Sequence, residues 1–223
     1  MSGLDRPVKA VLFDLDGTLL DSAPELGAAA NAFLKSLGLP IRPIADYRSY
    51  AGSGARGMLR VALDIGPDHP DYERHKTELL TAYEAVLFNT MAFAEVSPLL
   101  NQLSQAGLPW GIVTNKAERF ALPLIASLPL LASAAVVVCG DTTPHAKPHP
   151  EPLFEAARRL GLSPSDCVYV GDDERDIVAG RAAGMLTIAA LYGYLGPKAQ
   201  PEAWGADARI ERLSDLMGVL RLN

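Results

Sequence analysis

Cysteine is nearly missing: Cys139 and Cys167 are the only two in 223 residues. Each lies within or beside an apolar, strand-like run, which suits buried reduced thiols and leaves no framework for a disulfide-stapled fold. Positive charge is also in short supply. Twenty Lys and Arg stand against 26 Asp and Glu, for a net charge of −6. That balance argues against a nucleic-acid partner, whose binding needs a basic face, and against adhesion to anionic membranes. Long apolar runs are missing too. The opening segment MSGLDRPVKAVLFDLDGTLL holds one apolar stretch, Val8–Phe13, and Asp14 and Asp16 break it. A secretory signal needs a longer unbroken stretch and a membrane span needs about 20 residues, so a cytoplasmic chain is expected. No internal repeat and no low-complexity segment is visible.

What is present is apolar mass in short, well-punctuated pieces. With 49% hydrophobic residues the chain can bury a substantial core. Val8–Phe13 suits a fully buried parallel strand. A helix is expected from Ser22, where Ser22-Ala-Pro-Glu25 fits a capping box with Pro24 in the first turn. Leu26, Ala30, Phe33, Leu34 and Leu37 keep to one face of it, and Gly38 is the stop. From Ile44 to Asn89 the pattern stays helical without a strong strand signal, and the stretch around Gly52 and Gly54 reads as a flexible interruption.

A short helix over 99–106 follows, and then strands alternate with helices. Strands are expected at 110–114, 135–139, 167–171, 185–191 and 208–210. Helices are expected at 118–127 (interrupted or started by Pro123), 152–160, 174–183 and around 213–220. Alternation of this kind implies an α/β fold, a Rossmann-like parallel sheet covered on both faces. The helical block after the first strand is too long for one crossover. It is expected to be an inserted cap over residues 19–94, with residues 1–18 and 95–223 forming the core. Hinges near 19–22 and 89–96 would let such a cap close.

In open parallel sheets the chemistry gathers at the carboxyl ends of the strands. Here those ends carry Asp14 and Asp16, then Thr114 and Asn115, then a loop with Lys147, then Asp172, Asp173 and Asp176. If the strands are neighbours, up to five carboxylates face one lysine. They cannot all stay ionised without a counter-charge, so either some are protonated or a cation binds. Oxygen donors without Cys or His favour a hard ion, and Mg²⁺ suits a site that also takes phosphate. Asp14 and Asp16, two apart, would face one side of an extended strand. One carboxylate can then attack in line while the other exchanges a proton with the leaving oxygen. Thr114 offers a hydroxyl and Lys147 a point charge for phosphoryl oxygens.

The segments DLDGTLLDS, VTNK, HAKPHPEP and VGDDERDIVAGRAAG together resemble the four motifs of the haloacid dehalogenase-like hydrolase superfamily, in order and across nearly the whole chain. The resemblance implies that Asp14 is the nucleophile and Asp16 the general acid/base. It places Thr114, Asn115 and Lys147 on the phosphate. Asp172 would join Asp14 and the backbone carbonyl of Asp16 around Mg²⁺, and Asp176 would support the metal site or Lys147. Asp173 stands where the family often has Ser or Thr.

The cap position and TLLDSAPEL are similar to the phosphoglycolate phosphatase group. WGIVTNK, VVVCGDTTPHAKPHP and ALYGYLG resemble a proteobacterial branch of it that includes N-acetylmuramic acid 6-phosphate phosphatases. The implied partner is a small phosphorylated metabolite, handled by a monomer or homodimer.

Competing readings remain. A phosphomutase would keep both aspartates. A dehalogenase would not need the acid at position 16. A phospho-aspartate signalling receiver shares the aspartate, the acidic metal site, a threonine and a lysine, but has no long cap. Arg56, in the glycine-containing stretch, is expected to meet an anionic group of the substrate. The four histidines (His69, His75, His145 and His149) share no metal-binding spacing and are not expected to be ligands. Trp110 is expected in the core and Trp204 as a packing residue.

Overall fold

The computed structural model describes residues 7–221. Among these residues six strands form one parallel sheet in the order β5-β4-β1-β6-β7-β8. They are β1 (Ala10–Phe13), β4 (Trp110–Val113), β5 (Val136–Val138), β6 (Cys167–Gly171), β7 (Leu186–Ala190) and β8 (Ala208–Ile210). The central strands read AVLF, WGIV and CVYVG, and every one of these residues is buried, as a sheet covered on both faces demands. β1 lies between β4 and β6, with Val11 opposite both Trp110 and Val168. The chain runs from β1 outward to one edge through β4 and β5, then returns to the other side with β6. β1 therefore stands where the strand order reverses, the place at which such sheets open a crevice.

Helices α5 (Val96–Gln105), α6 (Glu118–Ser127), α7 (Glu151–Leu160), α8 (Glu174–Ala182) and α9 (Asp215–Val219) accompany the sheet strands. α6 runs on through Pro123, because Phe120, Ala121, Leu124 and Ile125 bury its face on both sides of the ring. α7 stops at Gly161, whose φ of +68° is the left-handed cap geometry that glycine adopts without a Cβ penalty. Trp110 and Trp204 are both buried, and the thiols of Cys139 and Cys167 are free and buried.

Between β1 and α5 the chain is helical, with α1 (Ala23–Ser36), α2 (Ala45–Arg48), α3 (Gly54–Leu63) and α4 (Tyr72–Glu84). α1 is the hub. It buries Leu26, Ala29, Ala30, Phe33 and Leu34 and packs against α3 and α4. Leu37, expected on that face, lies just past the helix and is 38% exposed.

Three local expectations differ from the structure. The first is the cap of α1. Ser22 makes no side-chain capping bond. The Tyr194 hydroxyl accepts from the Ser22 and Ala23 N–H groups instead, at 2.7 and 3.0 Å. A residue 172 positions away thus does the work expected of Ser22. The second is the stretch around Gly52 and Gly54. It is a 3-10 turn (Ala51–Ser53) leading straight into α3, not an irregular break. The third lies at the expected hinges near 19–22 and 89–96, where no strand was expected. β2 (Leu20–Asp21) pairs antiparallel with β3 (Met91–Ala92), so the chain enters and leaves the helical block through one two-stranded ribbon. Two-residue strands leave too short a period-2 pattern to be read.

Candidate active site

β1 ends at Phe13, and Asp14 follows with its N–H bonded to the Val170 carbonyl of β6 at 2.9 Å. That bond continues the sheet ladder one residue further and fixes the Asp14 side chain over the strand ends. The chain then turns at Gly17, with φ +90°. A Cβ at this position would strike the Asp172 carboxylate, so only glycine lets the turn and β6 approach so closely.

Lys147 arrives from the β5–α7 loop and is 5% exposed. Its Nζ contacts four oxygens: Asp14 Oδ1 at 2.8 Å, Asp176 Oδ1 at 2.7 Å, Tyr169 Oη at 2.6 Å and the Val113 carbonyl at 2.9 Å. Burial pulls its pKa down, but the two carboxylates outweigh burial and raise it, so it stays an ammonium. Asn115 does not aim its side chain at open space. Its amide donates to the Lys147 carbonyl at 2.9 Å and accepts from the Lys147 N–H at 3.0 Å, clamping the loop that carries the lysine. Thr114 is buried, and its Oγ1 accepts from the Lys116 N–H at 3.1 Å.

Asp172 stands at the end of β6 and is 1% exposed. One oxygen accepts from the Thr18 hydroxyl at 3.0 Å and the other from the Tyr194 N–H at 2.7 Å. Oxygens of Asp14, Asp172 and Asp176 lie within 4.8 Å of one another. Burial pushes Asp14 up to about 7 despite Lys147, and burial with the neighbouring Asp14 and Asp176 raises Asp172 well above the usual carboxylate range. One ammonium does not satisfy this much negative charge. The donor set is all oxygen, its outer atoms are already oriented by Thr18 and Tyr194, and its charge is uncompensated, which fits a hard divalent cation such as Mg²⁺.

Asp16 points elsewhere. Both its carboxylate oxygens accept from Lys116 Nζ at 3.1 Å, and the same ammonium contacts the Tyr83 hydroxyl of α4 at 2.9 Å. Asp16 is not among the clustered carboxylates of Asp14, Asp172 and Asp176, and with its Lys116 pairing its side chain lines the cavity. Asp173 is the N-cap of α8: it accepts from the Arg175 N–H at 2.9 Å, while Asp176 accepts from the Asp173 N–H at 3.1 Å. Burial would raise the Asp173 pKa, but its bonds to Arg175 outweigh this and hold it low. Arg175 also donates to the Gly52 carbonyl at 2.6 Å, linking α8 to the turn before α3.

These side chains open into a cavity of about 530 Å³. Asp14, Asp16, Thr114, Asn115, Lys147, Asp172, Asp173 and Asp176 all line it, and so does Arg56 from the first turn of α3. Its far wall comes from the helical block and α6: Leu26, Tyr72, Lys76, Leu80, Tyr83, Arg119 and Phe120. Sequence reasoning assigned no role to Lys116, Tyr83, Tyr169, Tyr194 or Arg175. Lys116 sits inside VTNK, so a signal was available for it. The tyrosines are brought in by tertiary packing alone.

A buried carboxylate beside an ammonium, a second carboxylate two residues on and an oxygen-donor cluster can together carry out nucleophilic substitution at a phosphoryl group. A model of the haloacid dehalogenase-like hydrolase family matches residues 8–184. The chain is 47% identical over 205 residues to a phosphoglycolate phosphatase of Xanthomonas campestris pv. campestris, covering 92% of each. It is 41% identical over 216 residues to an N-acetylmuramic acid 6-phosphate phosphatase of Pseudomonas aeruginosa, covering 96% of this chain and 95% of that one. Among solved structures, a predicted phosphoglycolate phosphatase from Haemophilus somnus superposes with a TM-score of 0.84 at 25% identity, over 97% of this chain and 99% of the other.

Proposed function

The chain belongs to the haloacid dehalogenase-like hydrolases, and from that premise we propose that it is a Mg²⁺-dependent phosphatase of small phosphate monoesters. The observation that carries the proposal is Asp14: a buried carboxylate lining the cavity, 2.8 Å from the Lys147 ammonium, with Asp16 two residues on.

In the first step an Asp14 oxygen attacks phosphorus and the ester oxygen leaves, taking a proton from Asp16. Lys147 neutralises charge on Asp14 and on the transferring phosphoryl group, and the Thr114 hydroxyl donates to a phosphoryl oxygen. In the second step Asp16 takes a proton from water, which attacks phosphorus and frees Asp14. Lys116 fixes the Asp16 rotamer on the cavity side, so the proton donor is held ready rather than searched for. Asp14, Asp172 and the Asp16 carbonyl would hold Mg²⁺, with Asp176 beside them holding Lys147. The ion supplies the positive charge that three clustered carboxylates and a phosphate require.

Residues 19–94 act as a cap on a core of residues 1–18 and 95–223, of which 1–6 and 222–223 lie outside the described residues. The β2–β3 ribbon supports this division, as do the Lys116–Tyr83 and Arg175–Gly52 links that hold the block over the site. Closure would exclude water from the first step.

The leading substrate reading is 2-phosphoglycolate, in line with the 47% identical relative. The cavity favours a second reading as well. At about 530 Å³, with Tyr72, Tyr83 and Phe120 in its wall, it is larger than a two-carbon ester fills, and Arg56, Lys76 and Arg119 offer charge for a carboxylate. A phosphorylated sugar acid such as N-acetylmuramic acid 6-phosphate has both the bulk and the carboxylate. Phosphate release across a panel containing both compounds, with Mg²⁺ and after chelation, tests the proposal. Mg²⁺-dependent release from one of them supports it. A phosphoenzyme that persists without turnover would favour the receiver reading, and transfer to a second sugar hydroxyl would favour a mutase.

A further inference from the structure

The loop that delivers Lys147 carries a second cluster, away from the cavity. His145 and His149 flank the lysine, and Glu151 opens α7. His145 and His149 stand four apart, a spacing that zinc sites use although no ligand role was expected of them, and the fold brings Glu151 to them. His145 Nδ1 lies 2.7 Å from Glu151 Oε2, and His149 Nδ1 lies 3.8 Å from the same oxygen. The two imidazole rings stack at 4.5 Å with an interplanar angle of 31°. One potential ligand atom from each residue falls within 4.8 Å of the others.

The loop holds this arrangement by its own bonds. The Thr143 hydroxyl donates to the His145 carbonyl at 2.9 Å, and the His149 N–H donates to the Ala146 carbonyl at 3.0 Å. Glu151 is held by the ten-residue helix it begins. The side chains of His145, His149 and Glu151 are 63%, 50% and 35% exposed, so an ion reaches them without opening the fold.

We propose that His145, His149 and Glu151 form a site for a borderline transition-metal ion of the Zn²⁺, Ni²⁺ and Cu²⁺ class, separate from the all-oxygen cluster at Asp14. Two imidazoles and one carboxylate select this class over Mg²⁺, which prefers oxygen and holds its water. Bond lengths of about 2.0–2.2 Å place tetrahedral neighbours roughly 3.4 Å apart, and the observed 2.7 and 3.8 Å separations bracket that edge. His149 Nδ1 exchanges a long 3.3 Å contact from the Glu151 N–H for the metal bond. Three protein donors leave one position for water. Because the two histidines stand on either side of Lys147, the bound ion clamps that loop to the start of α7.

The test uses the full chain with Mg²⁺ in excess, so that the oxygen cluster is occupied. Cu²⁺ is added at one equivalent and its electron paramagnetic resonance spectrum recorded. Zn²⁺ affinity is measured by calorimetry. The wild type is expected to give nitrogen hyperfine structure from two imidazoles and one-to-one Zn²⁺ binding. The His145→Ala/His149→Ala double variant is expected to lose both, and Glu151→Gln to weaken Zn²⁺ by about tenfold or more. Turnover with Mg²⁺ alone, retained in both variants, certifies their fold. A nitrogen pattern unchanged in the double variant would assign the copper to other groups and overturn the proposal, as would Zn²⁺ affinity indifferent to all three residues.

Discussion

Lys116 Nζ bonds both carboxylate oxygens of Asp16 at 3.1 Å, with side chains only 7% and 17% exposed. The second aspartate of the DLDGT turn is therefore positioned by the lysine of VTNK, and through it by the Tyr83 hydroxyl of α4. Replacing Lys116 by Met keeps the packing stem and removes the tether. Hydrolysis of an alkyl phosphate, which needs a proton on its leaving oxygen, should fall about 10²-fold. An aryl phosphate with a good leaving group should lose far less. Equal losses on both would show that Lys116 does something other than position Asp16.

Tyr194 makes a second long-range link, with a structural consequence. Its hydroxyl serves the Ser22 and Ala23 N–H groups, while its own N–H holds Asp172. Tyr194→Phe removes the first function and leaves the second. Loss of the cap should lower stability by about 1–2 kcal/mol in denaturant unfolding while Mg²⁺ affinity stays near wild type. Unchanged stability would return the cap to Ser22.

These two links mark the boundary of what the sequence could tell. Several elements were legible to the residue: 118–127, 167–171 and 208–210 match their observed bounds. The acidic strand ends were legible as well, because aspartates closing a wholly apolar strand demand a reason. What could not be read lay in pairings across the chain. Tyr169 beneath Lys147, Tyr194 at α1 and the β2–β3 ribbon depend on groups 22, 172 and roughly 70 residues apart. No local pattern encodes such contacts. Asn115 is an intermediate case: its place beside Thr114 was visible, but its grip on the Lys147 backbone was not.

Charge at the acidic cluster gives a pH-dependent prediction. In the metal-free fold Asp14 keeps its proton up to about pH 7, against 3.8 for the free group, and Asp172 is raised as well. A folded pKa above the unfolded one stabilises the protein below pH 4, and that stabilisation is lost as pH climbs through 7. Mg²⁺ binds the ionised carboxylates and offsets this loss. The rise in melting temperature on adding Mg²⁺ should therefore be larger at pH 8 than at pH 5. An equal rise at both would mean that these carboxylates are already ionised without the cation.

Gly17 tests the close approach of the first turn to β6. Gly17→Ala places a Cβ at φ +90° against the Asp172 carboxylate. The backbone alone should cost about 1–2 kcal/mol, and the displaced Asp172 should weaken Mg²⁺ binding. Wild-type Mg²⁺ affinity in this variant would show that Asp172 is not held where the turn requires it.

The central claim is that phosphate passes through Asp14. Rapid quench of a single turnover, reduction of the acyl phosphate with borohydride and peptide mass spectrometry would locate it. Reduction is expected at Asp14 in the wild type and nowhere in Asp14→Asn, which should fold normally and release no phosphate. Turnover with no trapped acyl phosphate, or label on another residue, would contradict it.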